Sequence, residues 1–159
     1  KQFDKALEIS QKLFAQFPNN VVFHRYVGRC FVSLGQWEKA RATFDNILSR
    51  CGNPGLAMVG YSESAKREAL YYLGVYAMNA GKYDEALQDF YRCDEISREL
   101  DKNGESGFMV MANLRIGFMY DLRSNRSLAV QQYRKVLAMK KFENSHEQAD
   151  QYLKSRYVK

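Results

Sequence analysis

VGRCFVSLGQWEKARATF, residues Val27–Phe44, is the stretch from which the rest of the chain can be read. Within it Gly28 is followed twelve residues later by Ala40, and four residues after that by the aromatic Phe44. The same constellation returns in LGVYAMNAGKYDEALQDF as Gly74, Ala86 and Phe90, and in IGFMYDLRSNRSLAVQQY as Gly117, Ala129 and Tyr133. Three copies at fixed offsets mark an internal repeat, which has to be found before any other motif is weighed. An aliphatic residue precedes each glycine (Val27, Leu73, Ile116), and a turn residue follows seven positions after it (Gly35, Gly81, Ser124). Two positions further on stand Trp37 and Tyr83, but Arg126 in the third copy. A partial copy opens the chain, where Phe3-Asp4-Lys5-Ala6 matches Trp37-Glu38-Lys39-Ala40.

Glycine costs about 1 kcal/mol in a helix interior, so one that recurs needs a packing reason. Two antiparallel helices in close contact supply it: glycine in one and alanine in the next remove bulk where the axes cross. Ala86, Leu87, Phe90 and Tyr91 keep a helical stripe rather than a strand alternation. Pro18 and Pro54 fall where helices should end. The pattern predicts eight helices over residues 3–17, 20–33, 36–50, 62–80, 83–101, 105–122, 125–140 and 145–156. Ser145 with Gln148 reads as a capping box for the last of them, which would close the stack. Successive alanines are 34, 46 and 43 residues apart, so extra residues enter near Cys51–Ser64 and Asp101–Ser106.

At these positions the sequence resembles the tetratricopeptide repeat family. Val27-Gly28, Gly35-Gln36-Trp37, Ala40, Phe44 and Pro54 stand at the family's positions, as do Leu73-Gly74, Gly81-Lys82-Tyr83, Ala86 and Phe90. The third copy lacks the turn glycine and its aromatic, and Ser10 departs from the aromatic position in the opening half unit. The resemblance implies an all-α fold, a right-handed superhelical solenoid of antiparallel helix pairs with a C-terminal capping helix. It implies a single domain over 1–159: the second half of a truncated repeat (1–20), repeats over 21–54, 62–101 and 105–143, and a cap over 144–159. A chain that opens in mid-repeat is expected to be part of a longer polypeptide, its first helix carrying an apolar side (Phe3, Ala6, Leu7, Leu13, Phe14) that wants a partner.

Composition narrows what the repeat does. With 46% hydrophobic and 26% charged residues the chain suits a soluble packed domain, and no apolar run approaches the roughly 18–20 residues of a membrane span. Three widely spaced cysteines and two histidines argue against a disulfide framework and against a metal site. Cys30 and Cys93 read as core, and unpaired thiols lean towards a cytoplasmic setting. The net charge of +6 is unevenly placed, +4 over 1–54, −4 over 55–106 and +6 over 107–159. That acidic middle breaks the continuous positive potential a nucleic-acid groove needs. No nucleotide-binding or hydrolase motif is present, and Asp84-Glu85 and Asp94-Glu95 read as solvated helix faces, so no catalytic residue and no cofactor is expected. Asn125-Arg126-Ser127 fits a glycosylation sequon in a turn between helices.

By the family's pattern, side chains three before and one after each glycine line a concave face. Those are Arg25 and Arg29, Tyr71 and Val75, and Leu114 and Phe118, with Tyr26, Tyr72 and Arg115 at the next flanking positions and Asn79 further down. Arginine forks bind carboxylates bidentately and tyrosine gives contact area at little entropy cost, so the expected partner is a protein or peptide with acidic and aromatic or apolar groups. The two-carboxylate clamp that some family members use for chaperone tails is matched poorly: Tyr72 and Met111 stand where it wants Asn and Lys, leaving Arg115. The leading expectation is a non-enzymatic interaction scaffold, working through this groove or an exposed helical end. The alternatives are a nucleic-acid binder using Arg123, Arg126, Arg134, Lys135, Lys140 and Lys141, or a regulatory domain of a larger enzyme.

Overall fold

A computed structural model describes residues 2–159. Among them are nine helices and no strand: α1 (Gln2–Gln16), α2 (Val21–Ser33), α3 (Trp37–Arg50), α4 (Pro54–Ala57), α5 (Glu63–Asn79), α6 (Tyr83–Leu100), α7 (Gly107–Leu122), α8 (Arg126–Ala138) and α9 (Ser145–Lys154). Each of the eight expected helices is present, with ends displaced by two residues at most. The additional one, α4, is a single turn started by Pro54 and capped by the Asn53 side chain, which accepts from the Gly55 N–H. It lies in the stretch where the spacing called for extra residues, and is too short to show a helical period.

Asn20, Ser106 and Asn125 cap α2, α7 and α8 through their side-chain oxygens, each taking up an otherwise orphaned N–H. The sequon asparagine thus serves the backbone of its own helix. The capping box expected at Ser145 is not formed. Ser145 is already the first helical residue of α9, and its hydroxyl accepts from the Phe142 N–H behind it.

The chain divides into two compact units, Lys1–Tyr76 and Ala77–Lys159. In the first, Val27, Phe31 and Ala40 form a cluster to which Leu7 and Phe14 of α1 add. Val21, Phe44, Ile47, Tyr61, Ala65, Ala69 and Leu73 make a second, joining α2 and α3 to α5. In the second unit α7 packs against α6, α8 and α9. Val110, Ala112, Leu114, Ile116, Phe118 and Met119 are all buried in it, so α7 is apolar around most of its circumference, as a helix enclosed by neighbours must be. Cys30 and Cys93 are core residues, as expected, and Cys51 is half-buried. Burial pushes the Cys51 thiol up to about 11.

Two of the recurring glycines, Gly28 and Gly117, have a definite occupant. A Cβ built on Gly28 would lie 2.6 Å from the ring of Phe44, and one on Gly117 would run into the ring of Tyr133. The aromatic four residues after the alanine therefore fills the hollow that the glycine leaves, with Phe44 and Tyr133 both essentially inaccessible. The turn position seven residues after the glycine is left-handed in all three copies: Gly35 at φ 68°, Gly81 at 77° and Ser124 at 60°. A non-glycine residue there costs roughly 1–2 kcal/mol, so Ser124 keeps the turn against its own preference.

Alanine is the better helix former, yet Gly28→Ala and Gly117→Ala should each destabilise their unit by about 1–3 kcal/mol, because a rigid ring must move to admit the methyl group. Urea denaturation followed by circular dichroism measures this; a gain in stability would mean the rings are not the constraint.

Candidate functional site

On α2, Val22, Arg25, Tyr26 and Arg29 lie at spacings of three and four and share one side of the helix. The opposite side, Val21, His24, Val27, Gly28 and Phe31, is buried. The first four residues line a shallow recess of about 130 Å³. Tyr26 is 50% and Val22 47% exposed, and the Arg29 guanidinium lies 5.7 Å from the Tyr26 ring centroid. The two arginines expected to receive a carboxylate already hold one from the chain itself. Arg25 Nε donates to Glu68 Oε2 at 2.6 Å, and Arg29 donates through Nε to Oε1 at 2.6 Å and through Nη2 to Oε2 at 2.8 Å. Glu68 comes from α5 and has no exposed surface, whereas the arginine side chains keep 24% and 37% of theirs. Two cations around one anion leave a net positive charge at the mouth of the recess.

The other expected residues of this unit are more enclosed. Tyr71 and Val75 are each 9% exposed. Tyr72 stacks on Phe44 with centroids 4.6 Å apart, and burial pushes its hydroxyl up to about 12. Behind the recess, His24 stacks on Phe14 at 4.3 Å and its Nδ1 is 3.0 Å from the Tyr61 hydroxyl, which also accepts from Arg50. Burial, seconded by the Arg50 charge, lowers the His24 pKa to about 4.

In the second unit, Leu114 and Phe118 are taken up inside the packing, at 0% and 1% exposure, and Asn79 and Arg115 are half-buried. Arg115 lies over the Phe118 ring at 5.4 Å, with its Nε buried and without a hydrogen-bond partner among the described residues. Asp94 is not on a solvated face as the sequence suggested. It is 2% exposed, accepts from Asn113 Nδ2 at 2.6 Å and from Arg98, and lies 3.5 Å from Lys135 Nζ. Sequence reasoning missed Glu68, Asp94 and Asp121, because an acidic residue within a helix carries no local sign of burial. Among the described residues no cluster of His, Cys, Asp or Glu could hold a metal ion, and no helix is long and apolar enough to cross a membrane.

Tetratricopeptide repeat models match residues 1–50 and 59–95, together more than half of the chain. The chain belongs to the tetratricopeptide repeat family. No curated protein matches it. Among solved structures it is similar to two crystal structures of the nearly identical TPR-like repeats of a protein assigned as a kinesin light chain from Podosopora anserina, one of them a single-substitution variant. Both are 13% identical, with TM-scores of 0.68 and 0.66, and the match covers 96% of this chain and 76% of each of those. MamA is similar at 18% identity and a TM-score of 0.63, with 96% and 85% covered. At these identities the likeness is one of fold. Tetratricopeptide repeats are in general protein-interaction scaffolds, and the elements of this one are those of its family: helix pairs, a glycine under an aromatic, and a left-handed turn.

The repeat's buried ion triad should respond unequally to truncation. Arg25→Ala/Arg29→Ala strands the Glu68 carboxylate in the interior and should cost about 3–5 kcal/mol, whereas Glu68→Ala should cost less because both guanidinium groups can turn to water. Comparison of urea midpoints checks the order. Native His24 titrates near 4 rather than at the usual 6.5. Between those values the unfolded chain binds the extra proton, so stability present above about pH 6.5 should fall as the pH drops towards 4. A His24→Gln variant should flatten that part of the profile.

Proposed function

We propose that the α2 recess is a binding site for a segment of a partner protein that presents a carboxylate beside an aromatic or apolar side chain. The observation that carries this reading is the pairing of Arg25 and Arg29 on a wholly buried Glu68. The buried acid fixes both guanidinium groups at the surface without neutralising them together, and so prepares the donors before a ligand arrives. Exposed Tyr26 and Val22 flank them and offer apolar area. The other expected residues do not line this recess: Tyr71 and Val75 are almost wholly buried, Tyr72 is stacked on Phe44, and Leu114 and Phe118 are enclosed in the second unit.

The basic residues that would favour nucleic acid are largely engaged. Arg123 pairs with Asp84, Arg126 with Asp121, Lys135 with Asp94 and Lys141 with Glu147. A protein partner is the better supported reading.

Peptides selected from a random phage-displayed library on the immobilised chain should be enriched in Asp or Glu next to an aromatic residue. Their affinity should fall about ten-fold in Tyr26→Ala, a change at an exposed residue that leaves the triad intact, and should weaken with added salt. Selected peptides without acidic residues, or unaffected by Tyr26→Ala, would rule this site out.

A further inference from the structure

Three of the positions at which the third copy of the repeat departs from the other two gather at one place. Four residues after the glycine stand Val32 and Met78 in the first two copies, but Asp121 in the third. Seven residues after it stand Gly35 and Gly81, but Ser124; nine after it stand Trp37 and Tyr83, but Arg126. All three departures touch the stretch that begins at the end of α9. Asp121 accepts the Tyr157 N–H on Oδ2 at 2.9 Å, and its main-chain oxygen accepts from Arg156 Nε at 3.0 Å and Nη2 at 2.6 Å. Ser124, held in its left-handed turn, accepts from Arg156 Nη2 at 2.9 Å. Arg126 donates to the Leu153 carbonyl at 2.8 Å and to both oxygens of Asp121 at 3.1 and 3.0 Å.

The same end of α7 presents a ring. Tyr157 stacks face to face on Phe118, with centroids 4.1 Å apart and planes within 5°, and Tyr152 closes the slot edge-on at 5.1 Å from each of them. Lys159 then donates to the carbonyls of Met78 and Asn79, in the last turn of α5. The cations of residues 156 and 159 thus sit on carbonyls in the last turns of two helices, where the helix dipole is negative. Asp121 has no exposed surface and is fixed by the Tyr133 hydroxyl at 2.8 Å, whose own proton burial and that carboxylate hold on to.

The segment itself is laid on the surface. Residues 155–159 are non-helical, Val158 is 73% exposed, and Ser155, Arg156 and Lys159 are exposed as well. On the receiving side Phe118 and Asp121 are buried and Tyr152 is half-buried; the occupying side is extended and mostly solvated. That is the division between a peptide site and a peptide.

We propose that the C-terminal end of α7, with Phe118, Asp121, Ser124 and Tyr152, is a binding site for a basic-aromatic peptide segment of the pattern Arg-aromatic-x-Lys, and that the chain's own Arg156–Lys159 fills it in cis. A partner segment of that chemistry gains the site by displacing these residues. The site differs in ligand charge and in place from the acidic-peptide recess on α2, so either can fail without the other.

The test uses a fluorescently labelled peptide with the sequence of residues 154–159 and two forms of the protein: the chain shortened to end at Ser155, and the full chain carrying Arg156→Ala/Tyr157→Ala. A short tether gives an effective concentration on the order of millimolar; against an intrinsic Kd of roughly 0.1 mM it should weaken external peptide about ten-fold. Both altered proteins should therefore bind the labelled peptide about ten-fold more tightly than the intact chain, and a peptide with its tyrosine replaced by alanine should not bind. If the shortened chain loses its helical circular dichroism, the full-length variant decides. Equal binding by the intact and altered chains overturns the proposal, as does loss of helical structure in both variants, which would make the segment part of the fold rather than its ligand.

Discussion

The ring of Phe44 lies where a side chain on Gly28 would be, and the ring of Tyr133 occupies the same place over Gly117. Close approach of two helices is the constraint on which the other features rest. With the glycine hollow filled by an aromatic, α2 meets α3 and α7 meets α8 in one relative placement. Their remaining surfaces must then be covered by the next helix or left as a binding face. Interiors packed to crystal-like density do not absorb an added methyl group freely, so the glycine is held by sterics in spite of its helix-propensity cost.

Within that packing the chain buries acids and meets each with cations. Glu68 takes Arg25 and Arg29, Asp94 takes Arg98 and Lys135, and Asp121 takes Arg126. A buried carboxylate is tolerated only when paired and hydrogen-bonded. These pairs therefore fix side chains from different helices to one another, and fix the direction in which the cations leave the surface. The +6 of the whole chain is thus spread over structural pairs and a few exposed guanidinium groups. The charge alone therefore says little about the partner.

The third repeat shows how the pattern is turned to a new use. Its departures at Asp121, Ser124 and Arg126 would each weaken a generic repeat: a buried charge, a strained turn and a missing aromatic. Here the same three residues gather Leu153, Arg156 and Tyr157 onto the end of α7. Loss of pattern in one repeat coincides with gain of contacts to one segment.

By itself the sequence determined the all-helical class, the place of eight helices and the pairing that brings Gly28 to α3 and Gly117 to α8, because helical period, turn residues and a fixed glycine-to-aromatic offset are all local signals. The resemblance to the repeat family also marked Arg25 and Arg29, three before and one after Gly28, as a pair on one side of α2. Only the tertiary structure decided what those arginines hold. Glu68 lies about forty residues away in sequence and looks locally like any exposed helix acid. Only the tertiary structure decided that Leu114 and Phe118 are enclosed, because the ring that stacks on Phe118 belongs to Tyr157, well beyond the helix pair that local spacing describes. Periodicity states which side of a helix is apolar. Which distant residue covers that side is set when the chain folds back, and no offset in the sequence encodes it.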